Sequence, residues 1–371
     1  MVFSGPFCSM FGMQILTFSF NDKKCKCKHH PDRNGLSSHI DKKHTMTFRI
    51  ITIFALVNAA FAAQPMKVLI ATGWGTEVGN GITDTEIIDL FDQANVCDTH
   101  DYPLPVQGAV GDLVGDTPMI CGGLWYDENG QPIQYKECHK LTAHGFELVS
   151  TTSIGMSGQT GIAIDDKLWI TGYGYGNEDY TEFVSLSGEV TPGPLLPENL
   201  IGHCLVKTGE ESKVMMIGGQ QYPDNIGRTY LLDVLTGAWT EGPELEFARA
   251  FHSCGLFELG GKKYVLVIGG EGQDTSYLTS VEILDVDAIE DGWKQIAPLP
   301  LALFDPVAVS FGNRLVVVGG TKEGYEESLD IYEFVCPNIE VCEWVALKKK
   351  LTEHRMNFVA MPIPDELVTC E

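Results

Sequence analysis

The sequence predicts an all-β fold: a ring of six four-stranded sheets whose C-terminal strand closes the first sheet. Three observations carry this expectation. A short β-branched run ending in glycine recurs at a nearly fixed step. Further strand, aromatic and proline signals recur with the same period. The two ends of the repeat array are complementary, one lacking the strand that the other has to spare.

The glycine-terminated runs are KVLIATG ending at Gly73, TPMICGG at Gly122 and Gly123, KLWITGY at Gly172, KVMMIGG at Gly218 and Gly219, YVLVIGG at Gly269 and Gly270, and RLVVVGG at Gly319 and Gly320. Counted at the first glycine, the steps are 49, 50, 46, 51 and 50 residues. A polar loop of about ten residues follows each run, then a second strand: TEIIDLF (85–91), YKECHKL (135–141), DYTEFVSL (179–186), RTYLLDV (228–234), SVEILDV (280–286) and SLDIYEF (328–334). An aromatic then marks a third strand at Phe146, Trp239, Trp293 and Trp344, with prolines after it at Pro243, Pro298 and Pro300. A fourth strand leads into the next glycine pair, as in GHCLVKTG (202–209), AFHSCGLFELG (250–260) and PVAVSFGN (306–313). Short strands with Gly and Pro turns at even spacing signal radial all-β repetition.

This pattern resembles the kelch repeat over 67–365, and residues 250–300 match it best, with AFHS, YVLVIGG, SVEILDV and GWKQIAPLP in family order. The third unit departs from it, with Gly172-Tyr-Gly174 in place of the diglycine and no Trp after it. The resemblance implies a six-bladed kelch-type β-propeller. In each blade the strands run a to d from the inner strand outwards. A single blade cannot bury both its faces, so its neighbours must. Trp239, Trp293 and Trp344 are read as inter-blade core, and the glycines as positions where backbone or that Trp approaches closely and φ turns positive. The first unit has no inner strand before it. HRMNFVAMPIPD (354–365) therefore closes the ring by pairing with 67–73 and shielding its open edge.

Charge divides the chain. Residues 1–64 hold eight bases and three acids, whereas 65–371 hold 17 bases and 47 acids, a net of −30. Such acidity argues against nucleic-acid binding. The absence of any run of about 18 apolar residues excludes a polytopic membrane protein. Residues 46–62 read as a signal peptide: Arg49, an apolar stretch, then Ala60 and Ala62 before the cut. The expected product is secreted and spans 65–371 as one propeller, free of the membrane and present as a monomer. Residues 1–45 read as a basic extension, disordered or not translated. A membrane-anchored or cytosolic protein is the alternative if Met1 is the true start. Cys25 and Cys27, with His39 and His44, lack zinc-finger spacing.

Eight cysteines remain after cleavage, an even number that points to disulfides in an oxidising compartment. Strand placement suggests Cys121 with Cys138 across adjacent strands, Cys336 with Cys342 around a turn, and Cys204 with Cys254 between neighbouring inner strands. Cys97 and Cys370 are left to clasp the chain's two ends. Sequence alone does not fix this connectivity.

The candidate binding residues are acids of the loops joining strands b and c, which open on one rim: Glu77, Asp84, Asp127, Glu128, Glu178, Asp179, Asp224, Glu271, Asp274, Glu323, Glu326 and Glu327. A ring of like charge attracts a basic partner. His203, Arg249, His252 and Arg355 begin inner strands and are candidates to face the channel. Two related propeller enzymes set the alternative, a secreted carbohydrate enzyme: galactose oxidase, with copper held by Tyr and His, and sialic-acid mutarotase, a secreted six-bladed ring. No catalytic set, metal site or cofactor is read from the residues. The resemblance implies a non-enzymatic module that binds a protein through rim loops, with the partner unspecified.

Overall fold

In a computed structural model of the protein the described residues are 67–371, apart from 76–79, 91, 156–159, 174–178, 210–211 and 371. The extension 1–45, the signal peptide 46–62, Glu77 and Glu178 lie outside them, and Asp179 is described only as backbone.

Six antiparallel meanders form the blades. Blade 2 runs Val110–Val114, Thr117–Cys121, Glu137–Thr142, Gly145–Thr151. Blade 3 runs Thr160–Ile164, Lys167–Tyr173, Asp179–Ser185, Val190–Pro192, and blade 4 Cys204–Lys207, Lys213–Ile217, Thr229–Asp233, Ala238–Glu241. Blade 5 runs Ser253–Leu259, Lys262–Ile268, Val281–Asp285, Lys294–Ile296, and blade 6 Val307–Phe311, Arg314–Val318, Ile331–Asn338, Val341–Ala346. Blade 1 joins both ends of the chain: Val359–Ile363 is its inner strand, paired from Ala71↔Val359 to Lys67↔Ile363, and Glu86–Asp89 flanks Lys67–Ala71 on the other side. Its outer position differs from the other blades. Cys97–Asp98 pairs there with Thr369–Cys370 of the tail rather than extending the ladder.

Strand b of each blade is apolar at nearly every position because both its faces are covered, and side chains alternate between faces with period two. Val214 and Met216 therefore enter the core shared with blade 3, while Met215 and Ile217 enter the core shared with blade 5. Val265 and Val267 likewise face blade 4, and Leu266 and Ile268 face blade 6. Six separate cores result, one at each blade junction. The tryptophans lie in these junctions and tie each blade to the one before it. The indole N–H of Trp239 donates to Leu195 O (2.8 Å), that of Trp293 to Pro243 O (3.0 Å) and that of Trp344 to Ala297 O (2.9 Å).

Of the two close approaches expected at the diglycines, by backbone or by the tryptophan, the structure shows the backbone one. Gly218 and Gly219 sit where two connections between strands d and a converge. A Cβ on Gly218 (φ +56) would lie 2.7 Å from Arg249 O of the next blade, and one on Gly219 (φ +112) 3.0 Å from Ile201 O of its own. The Gly219 N–H donates to Arg249 O at 2.9 Å, so the close approach is itself a hydrogen-bonded seam between blades. Gly269 and Gly270, with Leu303 O and Ala250 O, repeat the arrangement one blade on. A Cβ on Gly320 would meet Phe304 O at 3.1 Å in the same way, whereas one on Gly319 would meet the Phe358 ring at 3.0 Å; Gly122 and Gly123 share the positive φ.

All four expected cysteine pairs are disulfide-bonded: Cys97–Cys370, Cys121–Cys138, Cys204–Cys254 and Cys336–Cys342. Strand parity explains the Cys204–Cys254 pair. The two residues lie one register step apart, Cys204 opposite Ile217 and Cys254 opposite Val267. They therefore point from neighbouring sheets into the same core, with a Cα–Cα distance of 6.1 Å.

Candidate functional site

Connections d–a and loops b–c share one rim. In four blades they are joined by an isolated bridge, Trp74↔Met356, Gln107↔Leu124, Ile201↔Gln220 and Phe304↔Thr321, and in blade 5 by Arg249–Ala250 pairing with Glu271–Gly272. The loops are also locked to one another. The Asn225 side-chain amide donates to Glu271 O and Gly272 O, its backbone N–H donates to Gln273 Oε1, and Gln273 Nε2 donates to Asp224 Oδ1 at 2.9 Å.

The rim acids divide into structural and free groups. Asp127 caps its own loop, accepting from the N–H groups of Asn129 and Gln131, and these bonds hold its carboxyl below the usual range. Asp274 does the same with Ser276, with the same consequence. Asp224 holds Gln273, Glu326 pairs with Lys322 at 3.3 Å, and Glu327 is buried. Asp84, Glu128, Glu271 and Glu323 remain: among the described residues none shows a side-chain hydrogen bond or ion pair, and all but half-buried Glu271 are exposed.

Aromatic side chains gather at one sector of this rim. Phe251 and Phe304, from the d–a connections of blades 5 and 6, are 4.9 Å apart between ring centroids, and Tyr277 of the blade 5 loop stacks on Phe304 at 5.2 Å. Tyr325 of the blade 6 loop is 76% exposed. Burial raises the Tyr277 hydroxyl pKa above its usual value, and so do nearby Tyr325, Glu271 and Glu323.

The inner strands enclose a channel cavity of about 600 Å³. At its mouth stands a set of residues at equivalent places with left-handed backbone: Gly108, Gly202, Phe251, Asp305 and Asn357. Their peptides pass hydrogen bonds round the ring, Phe251 N–H to Gly202 O, Asp305 N–H to Phe251 O and Gly108 N–H to Asn357 O, each 2.8 Å. His203 lines the cavity, its imidazole between Thr171 Oγ1 (3.0 Å) and Leu200 O (3.1 Å). Burial depresses its pKa to about 4 and holds that of His252 well below the usual value, so both are neutral at physiological pH.

Asp305 yields a pH prediction. Burial raises its carboxyl from 3.8 to about 6, against the Asn357 N–H, which lowers it. The folded state keeps a proton that the unfolded chain releases between those values, so stability falls as pH rises through this window. Asp305→Asn is expected to gain about 1–3 kcal/mol at pH 7 and almost nothing at pH 4. Asparagine also tolerates the left-handed backbone at this position (φ 50). Paired urea titrations at the two pH values check it. Equal effects at both would refute the buried-carboxyl account.

Comparison with known proteins bears on the repeat. The chain is 27% identical to Kelch-like protein 40 of Mus musculus over 183 residues, 45% of this chain and 28% of that one. It is 30% identical over 126 residues to an F-box/kelch-repeat protein of Arabidopsis thaliana, covering 33% and 31%, and 25% identical over 138 residues to kelch repeat-containing protein kel-10 of Caenorhabditis elegans, covering 35% and 23%. This chain is a kelch-repeat propeller. It spans less than a third of the length of each of these relatives. No protein-family model matches it. The solved structure of YjhT shares its fold, with a TM-score of 0.62 at 15% identity over 76% of this chain and 95% of that one.

Within this kelch propeller the two arginine candidates lie away from the channel. Arg249 and Arg355 have no exposed surface and are turned into blades 5 and 1, where they pair with Glu282 (2.7 Å) and Glu86 (2.6 Å). Arginines that hold a sheet together present no fork to a carboxylated sugar. Among the described residues, one group of three potential metal ligands lies close together, Asp89 with Cys97 and Cys370, and its two sulfurs are bonded to each other. Sequence reading missed Phe251, Tyr277, Phe304, Tyr325 and Asp305. Phe251 lay inside the quoted AFHS motif, but the other four lie in connections without a repeat signature.

Proposed function

We propose that this kelch propeller is an exported, non-enzymatic module that captures a basic protein partner on the rim of its b–c loops. The observation that carries this reading is the pairing of unneutralised acids with exposed aromatic rings on that rim. Loops on a rigid ring vary cheaply and commonly carry recognition. Disulfides fasten the ring and suit an oxidising space, and among the described residues no helix is long and apolar enough to cross a membrane. A single copy suffices, because each blade's faces are already covered by its neighbours.

Two measurements test the reading together. Intact mass of the protein from a secreting host should show a chain starting after Ala62 with its eight cysteines oxidised. Cross-linking mass spectrometry against the extracellular fluid should place partner cross-links on the b–c and d–a rim. Cross-links confined to the opposite rim, or a product with free thiols, would remove it.

A further inference from the structure

At the junction of blades 5 and 6 a three-ring aromatic strip and free carboxylates coincide on the rim. Phe251, Phe304 and Tyr277 form a continuous strip whose centroids are 4.9 and 5.2 Å apart, and all three rings remain partly exposed. The strip is built by the backbone. The Phe251 ring lies over Gly202, where a Cβ would come within 2.8 Å of it, and Phe304 is held by reciprocal hydrogen bonds with Thr321 (2.7 and 2.8 Å). Tyr277 is fixed by the bridge between it and Glu271. The platform is therefore set before any ligand arrives, at little further entropic cost.

Glu271 and Glu323 both lie close enough to Tyr277 to act on its hydroxyl. Neither has a hydrogen bond or ion pair to its side chain among the described residues, and Lys322, the base beside Glu323, is engaged by Glu326. An aromatic face attracts cations through its quadrupole, most of all guanidinium, which also stacks flat on it. The two nearby carboxylates supply the counter-charge. An acidic or neutral segment would gain nothing from either feature.

We infer that the blade 5–6 junction receives the cationic side chain of an arginine or lysine in a partner's basic segment, seated on Tyr277 and Phe304 beside Glu271 and Glu323. This rests on the binding reading above and narrows it to one sector and one chemistry. The other free rim acids, Asp84 and Glu128, belong to blades 1 and 2; the rings near Glu128, Trp125 and Tyr126, meet edge to face at 6.1 Å and form no stacked strip.

The test uses the full propeller and a short alternating Gly-Arg peptide, with Gly-Lys, Gly-Ser and Gly-Glu peptides of equal length, read by calorimetry at low and physiological salt. The Gly-Arg peptide should bind most tightly and Gly-Lys next, with the other two silent. Glu271→Gln with Glu323→Gln should weaken binding about tenfold, whereas Asp84→Asn with Glu128→Gln should change it less than about twofold. Tyr277→Leu, which keeps the apolar contact but removes the ring, should cost about two- to fivefold. Equal losses from the two acid pairs would show attraction to the net charge alone and overturn the assignment. Absence of Gly-Arg binding, or no effect of Tyr277→Leu, would overturn it as well. If cross-links to the natural partner stay on this rim but avoid blades 5 and 6, the inference falls while the binding reading stands. If they move to the opposite rim, both fall.

Discussion

Replacing Arg249 with methionine is expected to lower the unfolding free energy by about 3–5 kcal/mol. The guanidinium and its partner Glu282 both have side-chain exposures of 0%. Arg249 donates to Phe247 O, Gly269 O, Ser280 O, Ser280 Oγ and Glu282 Oε1, at 2.7–3.3 Å. Glu282 accepts in addition from the N–H groups of Glu246 (2.6 Å) and Phe247 (3.1 Å). The pair thus fastens the connection from blade 4 to the blade 5 sheet that it is about to enter. Burial pulls the arginine pKa down, and Glu282 opposes this. Methionine would leave an ion without its counter-charge and several carbonyls without donors. The double substitution Arg249→Met, Glu282→Gln should recover part of the loss, because the buried anion goes with the cation. Lys262→Met is the control: Lys262 and Asp285 form an ion pair at 2.8 Å, but the lysine side chain is 56% exposed, so the change should cost less than about 1 kcal/mol. Chemical denaturation of the four proteins decides it. A loss below about 1 kcal/mol for Arg249→Met would show that the network contributes nothing net.

Blade 3 shows why such a network escaped sequence reading. Glu182 is buried in its strand c, yet no arginine faces it among the described residues; Ser153 supplies both its backbone N–H and its hydroxyl. The carboxylate recurs while its donor changes from a charged side chain to a serine, so no spacing rule finds the pair. The blade cores behave differently. Runs such as YVLVIGG are written by one demand, burial on both faces, and that demand repeats every fifty or so residues whatever the neighbours are. Ring closure was legible for the same reason, since 354–365 carries an inner-strand pattern with nothing after it to pair with. Cys204 and Cys254 were legible as a pair from their nearly equivalent places in neighbouring inner strands, while the one-step offset that aims both into one core is seen only in the structure. The site was less legible. Acids could be placed on the b–c rim, but whether a given carboxylate is free depends on loop geometry: Asp127 turns inward to cap, while the adjacent Glu128 stays exposed. The platform of Phe251, Phe304 and Tyr277 draws on two blades and three connections, and its members are far apart in sequence.

Opening the Cys97–Cys370 bond by Cys97→Ser with Cys370→Ser is expected to cost about 4–5 kcal/mol without changing the folded ring. The bond closes a loop with a sequence separation of 273, whereas Cys121–Cys138 spans 17. In the chain-entropy account a cross-link stabilises by restricting the unfolded chain, more so for a longer loop, which puts the shorter bond at about 3 kcal/mol. The folded ring should survive because its closure has other anchors. Val359–Ile363 keeps its five-pair ladder with Lys67–Ala71, Arg355 keeps Glu86, and Phe358 stays in the core between blades 6 and 1. What loosens is local: the Thr369–Cys370 pairing with Cys97–Asp98 and the bond from Thr99 Oγ1 to Leu367 O. Hydrogen exchange should therefore rise over 365–370 but not over 359–363, while the denaturation midpoint falls. Burial adds a second discriminator. Cys370 is exposed, whereas Cys121 and Cys138 are at 0%, so a mild reductant should open the end clasp first and reproduce the double variant. Should Cys121→Ser with Cys138→Ser prove the more damaging change, packing between strands b and c of blade 2 would outweigh chain entropy, and joining the two ends would not be what holds the ring shut.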